Sequence, residues 1–256
     1  MLFQRTFTQL SPLALIILGV QLVASHSWLQ YIEVERTGAI GYPRNFFEPD
    51  PQADLHHVNL MESNKSLICN QFQRDAVNLP GTPRLKASPG DRVIGWHREN
   101  GHTTDPVYSG KAGKTYWYGT SQPSKQTTLG DVRTWTRDGG PKGALVGISK
   151  FDDGECAEPN HTKISKDRGV GVYGKNKNCR DSGFVIPTYV KAGTTYSVYW
   201  VWDYSEKYGP AVDSGHFEFY SHCVDIDVIP GMGEPKVRTV RRFNGPSRAR
   251  DLDSEA

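Results

Sequence analysis

Beyond its first two dozen residues the sequence has no apolar run approaching the roughly 20 residues that a membrane-spanning helix needs, so no later anchor in a bilayer is expected. Net charge is also nearly missing. The 30 Lys and Arg stand against 28 Asp and Glu, which leaves no general basic footprint for nucleic acid. No window of helical period runs for three clean turns, so a helical bundle is not expected either. Cysteine is limited to four residues, and no two of them stand at the C-x₂₋₄-C spacing of a zinc cluster. A G-x-S-x-G elbow and an H-E-x-x-H helix are absent. Carboxylates are plentiful, but no pair stands out in a hydrolase motif. No internal repeat is found.

What is present begins with a leader. Arg5 gives a positive start, and Pro12 to Ala24 is apolar. Val23 and Ser25 then occupy the two small-residue positions that a signal peptidase reads. Residues 1–25 therefore read as a cleaved secretory signal, and the mature protein is expected to be secreted, extracellular and soluble. A cut after Ser25 places His26 at the new N-terminus. A cut one residue earlier would use Leu22 and Ala24, a less usual pair. Loss of Arg5 brings the charges still closer to balance.

In an oxidising compartment the even cysteine count implies two disulfides, with three pairings open to the sequence alone. The expected pairing is Cys156 with Cys179 as a loop staple and Cys69 with Cys223 as a long-range clamp. Asn64-Lys65-Ser66 and Asn160-His161-Thr162 are N-glycosylation sequons, so Asn64 and Asn160 are expected on surface loops. Seven stretches combine β-branched or aromatic residues with turn punctuation: Gln30 to Glu35, Arg92 to Arg98, Thr115 to Gly119, Ala144 to Phe151, Phe184 to Val190, Thr195 to Asp203 and His216 to Ile229. Repeated short strands without helices predict an all-β, antiparallel sandwich with long loops. Residues 36–84, polar and broken by proline, are expected to form an extended loop region held by Cys69. One domain is placed at 26–232. From Lys236 onward six basic and three acidic residues accompany few apolar ones, which predicts a disordered basic tail over 233–256.

A histidine at the first position has chemistry that no internal one has. Its α-amino nitrogen and imidazole Nδ1 can chelate one metal ion together. The amine has an ordinary pKa of about 7.7–8.0, so a metal readily displaces its proton near neutrality. Nitrogen ligands in a planar set suit Cu(II). A second histidine would supply a third nitrogen. His97 lies in phase with Val93 and Gly95 and is expected to pack on a sheet. His102 follows Gly101 and precedes Pro106, where a loop can present the imidazole at the surface, and it is the favoured partner. His56 and His57 in the long loop and His161 in a sequon are expected to have surface roles and have no special claim. In the segment "SGHFEFYSHC" the two-residue period puts His216, Glu218, Tyr220 and His222 on one face, polar and reactive, and Phe217, Phe219, Ser221 and Cys223 on a core face. Tyr220 could cap a copper axially with Glu218 beside it. An exposed face of an edge strand would give the same pattern.

These segments, "HSW" at 26, "DRVIGWHRENGHTTDP" at 91, "YSVYWVWDYS" at 196 and "GHFEFYSHCVDIDV" at 215, resemble in order those of the fungal lytic polysaccharide monooxygenases. The resemblance covers most of residues 26–229 and implies an immunoglobulin- or fibronectin-like β-sandwich with a copper "histidine brace". It assigns the brace to His26 and His102, the axial position to Tyr220 and a supporting role to Glu218, where cellulose-active members carry glutamine. Cys69 with Cys223 resembles the family's link from the long early loop to the last strand. The implied activity is copper-dependent oxidative cleavage of glycosidic bonds, with an external electron donor and O2 or H2O2, at a polysaccharide surface and by a monomer. Trp28, Tyr31, Trp117 and Tyr118 are candidates to stack on sugar rings, with the sandwich core as the competing place for them.

A copper-binding protein of the same fold without cleaving activity stays open, with Asp105 or Asp213 adding a carboxylate to the metal. So does a disulfide-stapled wall protein whose terminal histidine is accidental. N-terminal sequencing of the exported protein is expected to read His-Ser-Trp-Leu. A start at Ser25 would remove the terminal chelate and with it both copper readings.

Overall fold

The computed structural model of the protein describes residues 27–50, 52–106, 111–205 and 217–231. Among these, the strands are β1 (Leu29–Val34), β2 (Ile40–Gly41), β3 (Leu60–Met61), β4 (Leu85–Ala87), β5 (Arg92–His97), β6 (Lys114–Thr120), β7 (Ala144–Lys150), β8 (Cys179–Val185), β9 (Thr195–Asp203) and β10 (Phe219–Val228). They form two sheets, β2-β1-β5-β8 and β3-β10-β9-β6-β7, with β4 joining β10 as well. Pairing is antiparallel throughout except for β4 on β10, which is parallel. The architecture is the all-β sandwich expected. Three helices of about one turn, α1 (Ala53–His56), α2 (Leu129–Arg133) and α3 (Lys163–Asp167), sit in the connections. No helix among the described residues is long and apolar enough to cross a membrane.

Strand alternation builds the core. β9 turns Tyr196, Val198, Trp200 and Trp202 toward the other sheet, opposite Ile226, Val224, His222 and Tyr220 of β10. Trp117 of β6 stands opposite Trp200. Indole rings this large need room, and Gly95 of β5 supplies it: a Cβ there would come within 2.6 Å of Trp117 Cζ2. The opposite face of the second sheet is also covered. Tyr199, Val201, Phe219 and Cys223 pack there against Met61 and Ile68 of the long loop region and against Leu129 and Val132 of α2. Thr128 caps that helix, accepting from the Asp131 backbone N–H while the Asp131 carboxylate accepts from the Thr128 N–H.

Three expectations need correction. The strand expected over Phe184 to Val190 is instead β8, Cys179–Val185. Pro187 has no N–H to give a ladder, and its carbonyl accepts from Val190 N in a turn. The true strand escapes a hydrophobic reading because Arg180 and Ser182 face outward and one inward residue is Asp181. Second, β10 is no edge strand with an exposed polar face: β9 lies on one side of it and β3 and β4 on the other, and Tyr220 and His222 are buried. Residues of the polar start of that face continue into Val224, Ile226 and Val228 of the inter-sheet core. Third, the loop region 36–84 contains β2, α1 and β3, each too short to stand out by period.

That region is held to β9 and β10 by a polar anchor. Buried Arg44 donates through Nε and Nη2 to the two oxygens of buried Asp225, at 2.9 and 2.7 Å. Its remaining donors reach the Gln73 carbonyl and the Ser197 hydroxyl. The Cys69–Cys223 disulfide closes the same junction across 154 residues of chain, and Cys156–Cys179 ties the loop after β7 to the start of β8, both as expected. Arg44→Met strips buried Asp225 of its two-bond partner, leaving it Arg84 at 3.7 Å, and is expected to cost about 3–5 kcal/mol in urea unfolding. Lys163→Ala, which removes an exposed pair with Asp167, is expected to change stability by less than about 0.5 kcal/mol.

Candidate functional site

One end of the sandwich gathers most of the residues with chemistry. The chain leaving β5 turns through Asn100 and Gly101, both at positive φ, and is organised by the buried Glu99 carboxylate. Glu99 accepts from the Thr103 N–H at 2.9 Å, from the Thr104 hydroxyl and from the Glu158 N–H at 2.8 Å. The His102 N–H in turn donates to the Glu99 carbonyl. This folds the imidazole inward, where the sequence suggested surface display. His102 is fully buried, edge-on to Trp202 and Tyr204 with ring centroids 4.5 Å away from each.

Trp202 is shared. Tyr220, its cross-strand partner, stacks on it at 5.0 Å, and the Tyr220 hydroxyl donates to Glu218 Oε1 two residues back on the same face. Burial, reinforced by that carboxylate, pushes the Tyr220 phenol far up, so it keeps its proton. Glu218 is half-buried. His222, next on that face, is fully buried and pushed down to about 3 by burial, with His57 adding to the effect. It is neutral at physiological pH. The structure thus brings His102, Tyr220 and Glu218 to one aromatic cluster.

His97 is packed, as its phase implied. Its ring lies 4.4 Å from that of Phe151 and 5.3 Å from that of Trp200, and Nε2 stands 3.1 Å from the Phe151 carbonyl. Burial lowers its pKa against the opposing charge of Asp181. Asp181 itself was invisible in the sequence. It is fully buried between the sheets and accepts from Trp117 Nε1 (2.9 Å), Trp200 Nε1 (3.2 Å), Ser149 Oγ (2.6 Å), Thr115 Oγ1 and the Gly183 N–H. A bulge aims it there. Phe184 opposes Val93 while Asp181 opposes Gly95, so one extra residue in β8 reverses the phase. Gly183 carries the bulge at φ +67°, where a Cβ would lie 1.8 Å from the Val93 carbonyl oxygen. Ser182-Gly183 inside a strand was the available signal.

The described chain begins beside this cluster. Ser27 is buried and donates its hydroxyl to the Arg98 carbonyl, and Arg98 N donates to the Trp28 carbonyl. His26, Asp213 and His216 lie outside the described residues, as do the leader and the basic tail. Asp105 is half-buried on the His102 loop. Of the four aromatic candidates, Trp117 and Tyr118 are buried, whereas Trp28 and Tyr31 are half-buried and line clefts. His56 and His57 share the Asp50 carboxylate, and His161 is exposed, but His57 is buried against Phe46 where a surface role was expected. Asn64 is exposed. Asn160 is half-buried, with Nδ2 donating to Thr104 and Oδ1 accepting from Thr162.

Glu158, unremarked in the sequence, lines a cleft of about 580 Å³ with Trp28, Glu48, Arg98 and Asn100. Burial first, then the charge of Glu99, pushes its carboxyl up to about 7, against a hydrogen bond from Asn160. Proton exchange near neutral pH is therefore available in that cleft.

No curated protein matches the sequence. Among solved structures, the chain is similar to a cellulose-active polysaccharide monooxygenase from M. thermophila, with 18% identity, TM-score 0.42, and 82% of this chain and 81% of that one covered. It is similar to the protein CvAA9A at 16% identity and TM-score 0.38 over 82% and 79% of the two chains. A third is Cel61B, a glycoside hydrolase family 61 member from Hypocrea jecorina, at 11% identity and TM-score 0.37 over 80% and 81%. A family model described as "Domain of unknown function (DUF7492)" matches residues 23–248. Since that match spans well over half of the chain, the protein belongs to the DUF7492 family.

Proposed function

We propose that the protein is exported, cut after Ser25, and would hold one copper ion through His26 and His102, with Tyr220 beside them, to cleave glycosidic bonds of a polysaccharide oxidatively. The observation that carries this reading is the convergence of His102, Tyr220 and Glu218 around Trp202, at the end of the sandwich where Ser27 is bonded to Arg98. Residue 26 is covalently the next one along.

The described donors suit such an ion. Nitrogen ligands with one weak oxygen are a set that Cu(II) accepts. His102 offers an imidazole whose ring is restrained by Trp202 and Tyr204. Tyr220 offers a neutral phenol oxygen rather than a phenolate, because burial and Glu218 keep the proton on it. Copper, once bound, would supply one-electron chemistry toward O2 or H2O2 with electrons from an external donor. The residues around it have narrower tasks. Trp202 sets the spacing between imidazole and phenol, and the Glu218 carboxylate orients the phenolic proton.

The test is Cu(II) titration with EPR on protein carrying its native N-terminus. One equivalent is expected to bind with nitrogen hyperfine structure. Binding is expected to be lost in a version with one residue added before His26 and in His102→Ala. Glu218→Gln is expected to change affinity or turnover by roughly 10–100-fold, the usual cost of disturbing a group that orients a ligand. Mass spectrometry of neutral polysaccharides incubated with the copper-loaded protein and a reductant is expected to reveal oxidised oligosaccharides. Tight copper without such products on any glycan would favour the non-cleaving binder. Weak binding indifferent to the extension would sink both.

A further inference from the structure

The outer face of the four-stranded sheet is not an ordinary solvated surface. Tyr31 of β1, Trp96 of β5 and Tyr42 after β2 stand there together, all half-buried. Tyr31 stacks on Trp96 at 5.9 Å and 27°, and its ring centroid lies 6.4 Å from that of Tyr42. Trp96 Nε1 donates to Glu33 Oε2 at 3.0 Å, which fixes the indole plane. A row of aromatic rings left open to water and held in place marks a recognition surface.

The relief of the surface runs in the same direction. Three adjoining clefts of about 580, 440 and 620 Å³ lie end to end. The first, beside Trp28, shares Glu48, Arg98 and Asn176 with the second. The second shares Tyr31 and Asn178 with the third, which ends against Trp96. They make one furrow leading away from the His102 end along the sheet.

Its polar chemistry is unfinished. Three lining residues hold a buried polar atom with no hydrogen-bond partner among the described residues: Trp28 Nε1, Gln30 Nε2 and Asn178 Oδ1. Gln30 is only 4% exposed, so its amide is fixed rather than free to turn to bulk water. Two donors and one acceptor, spread along a furrow between aromatic faces, match a ligand that offers hydroxyls at its edges and C–H faces above and below. None of the three clefts carries an excess of cations. In the third Lys150, Lys177 and Arg180 are balanced by Asp152, Asp153 and Glu155, and in the first Glu48, Asp50 and Glu158 outnumber Arg98.

We propose that this furrow binds a single neutral oligosaccharide chain, with its rings on Trp96 and Tyr31 and its hydroxyls on Gln30 and Asn178. It is a glycan-holding surface separate from the His102 cluster, and it stands whether or not a metal binds. An acidic polysaccharide or a nucleic acid would find no net positive charge along it.

The experiment is isothermal titration of the metal-free protein with neutral hexasaccharides of β-1,4-glucose, β-1,3-glucose, β-1,4-xylose and β-1,4-mannose, and with an oligogalacturonate as the charged comparison. At least one neutral hexasaccharide is expected to bind saturably, and Trp96→Ala is expected to weaken it by roughly tenfold, about 1.4 kcal/mol. Asn178→Ala, which leaves the Tyr31–Trp96 stack in place, is expected to weaken it severalfold with unchanged thermal melting. That second variant keeps the test open if Trp96→Ala does not fold. Copper loading and the His102→Ala substitution are expected to leave the affinity unchanged, so loss of the metal reading and loss of this one are distinguishable. No binding of any neutral hexasaccharide, preference for the oligogalacturonate, or indifference to both furrow substitutions would overturn the proposal.

Discussion

The Arg44–Asp225 pair sits where a loop crosses the outer face of a sheet, and a charged pair in such a place is costly to desolvate unless its geometry is complete. Here it is. Two parallel bonds join guanidinium and carboxylate, while Gln73 and Ser197 take up the donors left over. Two residues from Asp225, the Cys69–Cys223 bridge fastens the same loop region covalently. With the loop held there, Met61 and Ile68 cover the outer side of β9 and β10. Those strands become buried on both faces, and their inner face can be given over to large aromatic rings. Trp202, Trp200 and Tyr220 occupy fixed places because the strands beneath them cannot bend away, and His102 leans on Trp202. Precision at the site thus begins at an ion pair on the far side of the sheet.

Much of this fold was legible. Thr195–Asp203 was bounded correctly because "TYSVYWVWD" alternates β-branched and aromatic residues along its whole length. Both disulfides followed the expected pairing. β8 was misplaced for a physical reason: its stability comes from ladder bonds to β5 and from Asp181, whereas its own side chains carry little apolar signal. β2, β3 and β4 are two or three residues long and exist only through their partners.

For the candidate site residues, the facing of side chains was legible and their environment less so. Glu218, Tyr220 and His222 were correctly placed on one face, because a period of two is rigid chemistry. Whether that face meets water or another sheet depends on what covers it, and no local pattern carries that. His102 was placed on a loop, but its burial depends on Glu99, whose three acceptor bonds reach along the loop and across to Glu158. Asp181 shows the same limit. A lone aspartate in "RDSGF" reads as surface until the bulge at Gly183 turns it inward.

Asp181 and Glu99 share a further property. Both are buried carboxyl groups held by neutral donors: hydroxyls, indoles and backbone N–H groups. Asp181 accepts five bonds, enough to fill the acceptor sites of its two oxygens. A buried group satisfied in this way resists rearrangement, because losing any one donor leaves an oxygen out of water without its partner. Each therefore fixes what surrounds it. Glu99 sets the loop that carries His102, and Asp181 sets the planes of Trp117 and Trp200 between the sheets. Two oxygens on each of two side chains thus hold in place rings that hydrophobic packing alone would leave free to repack.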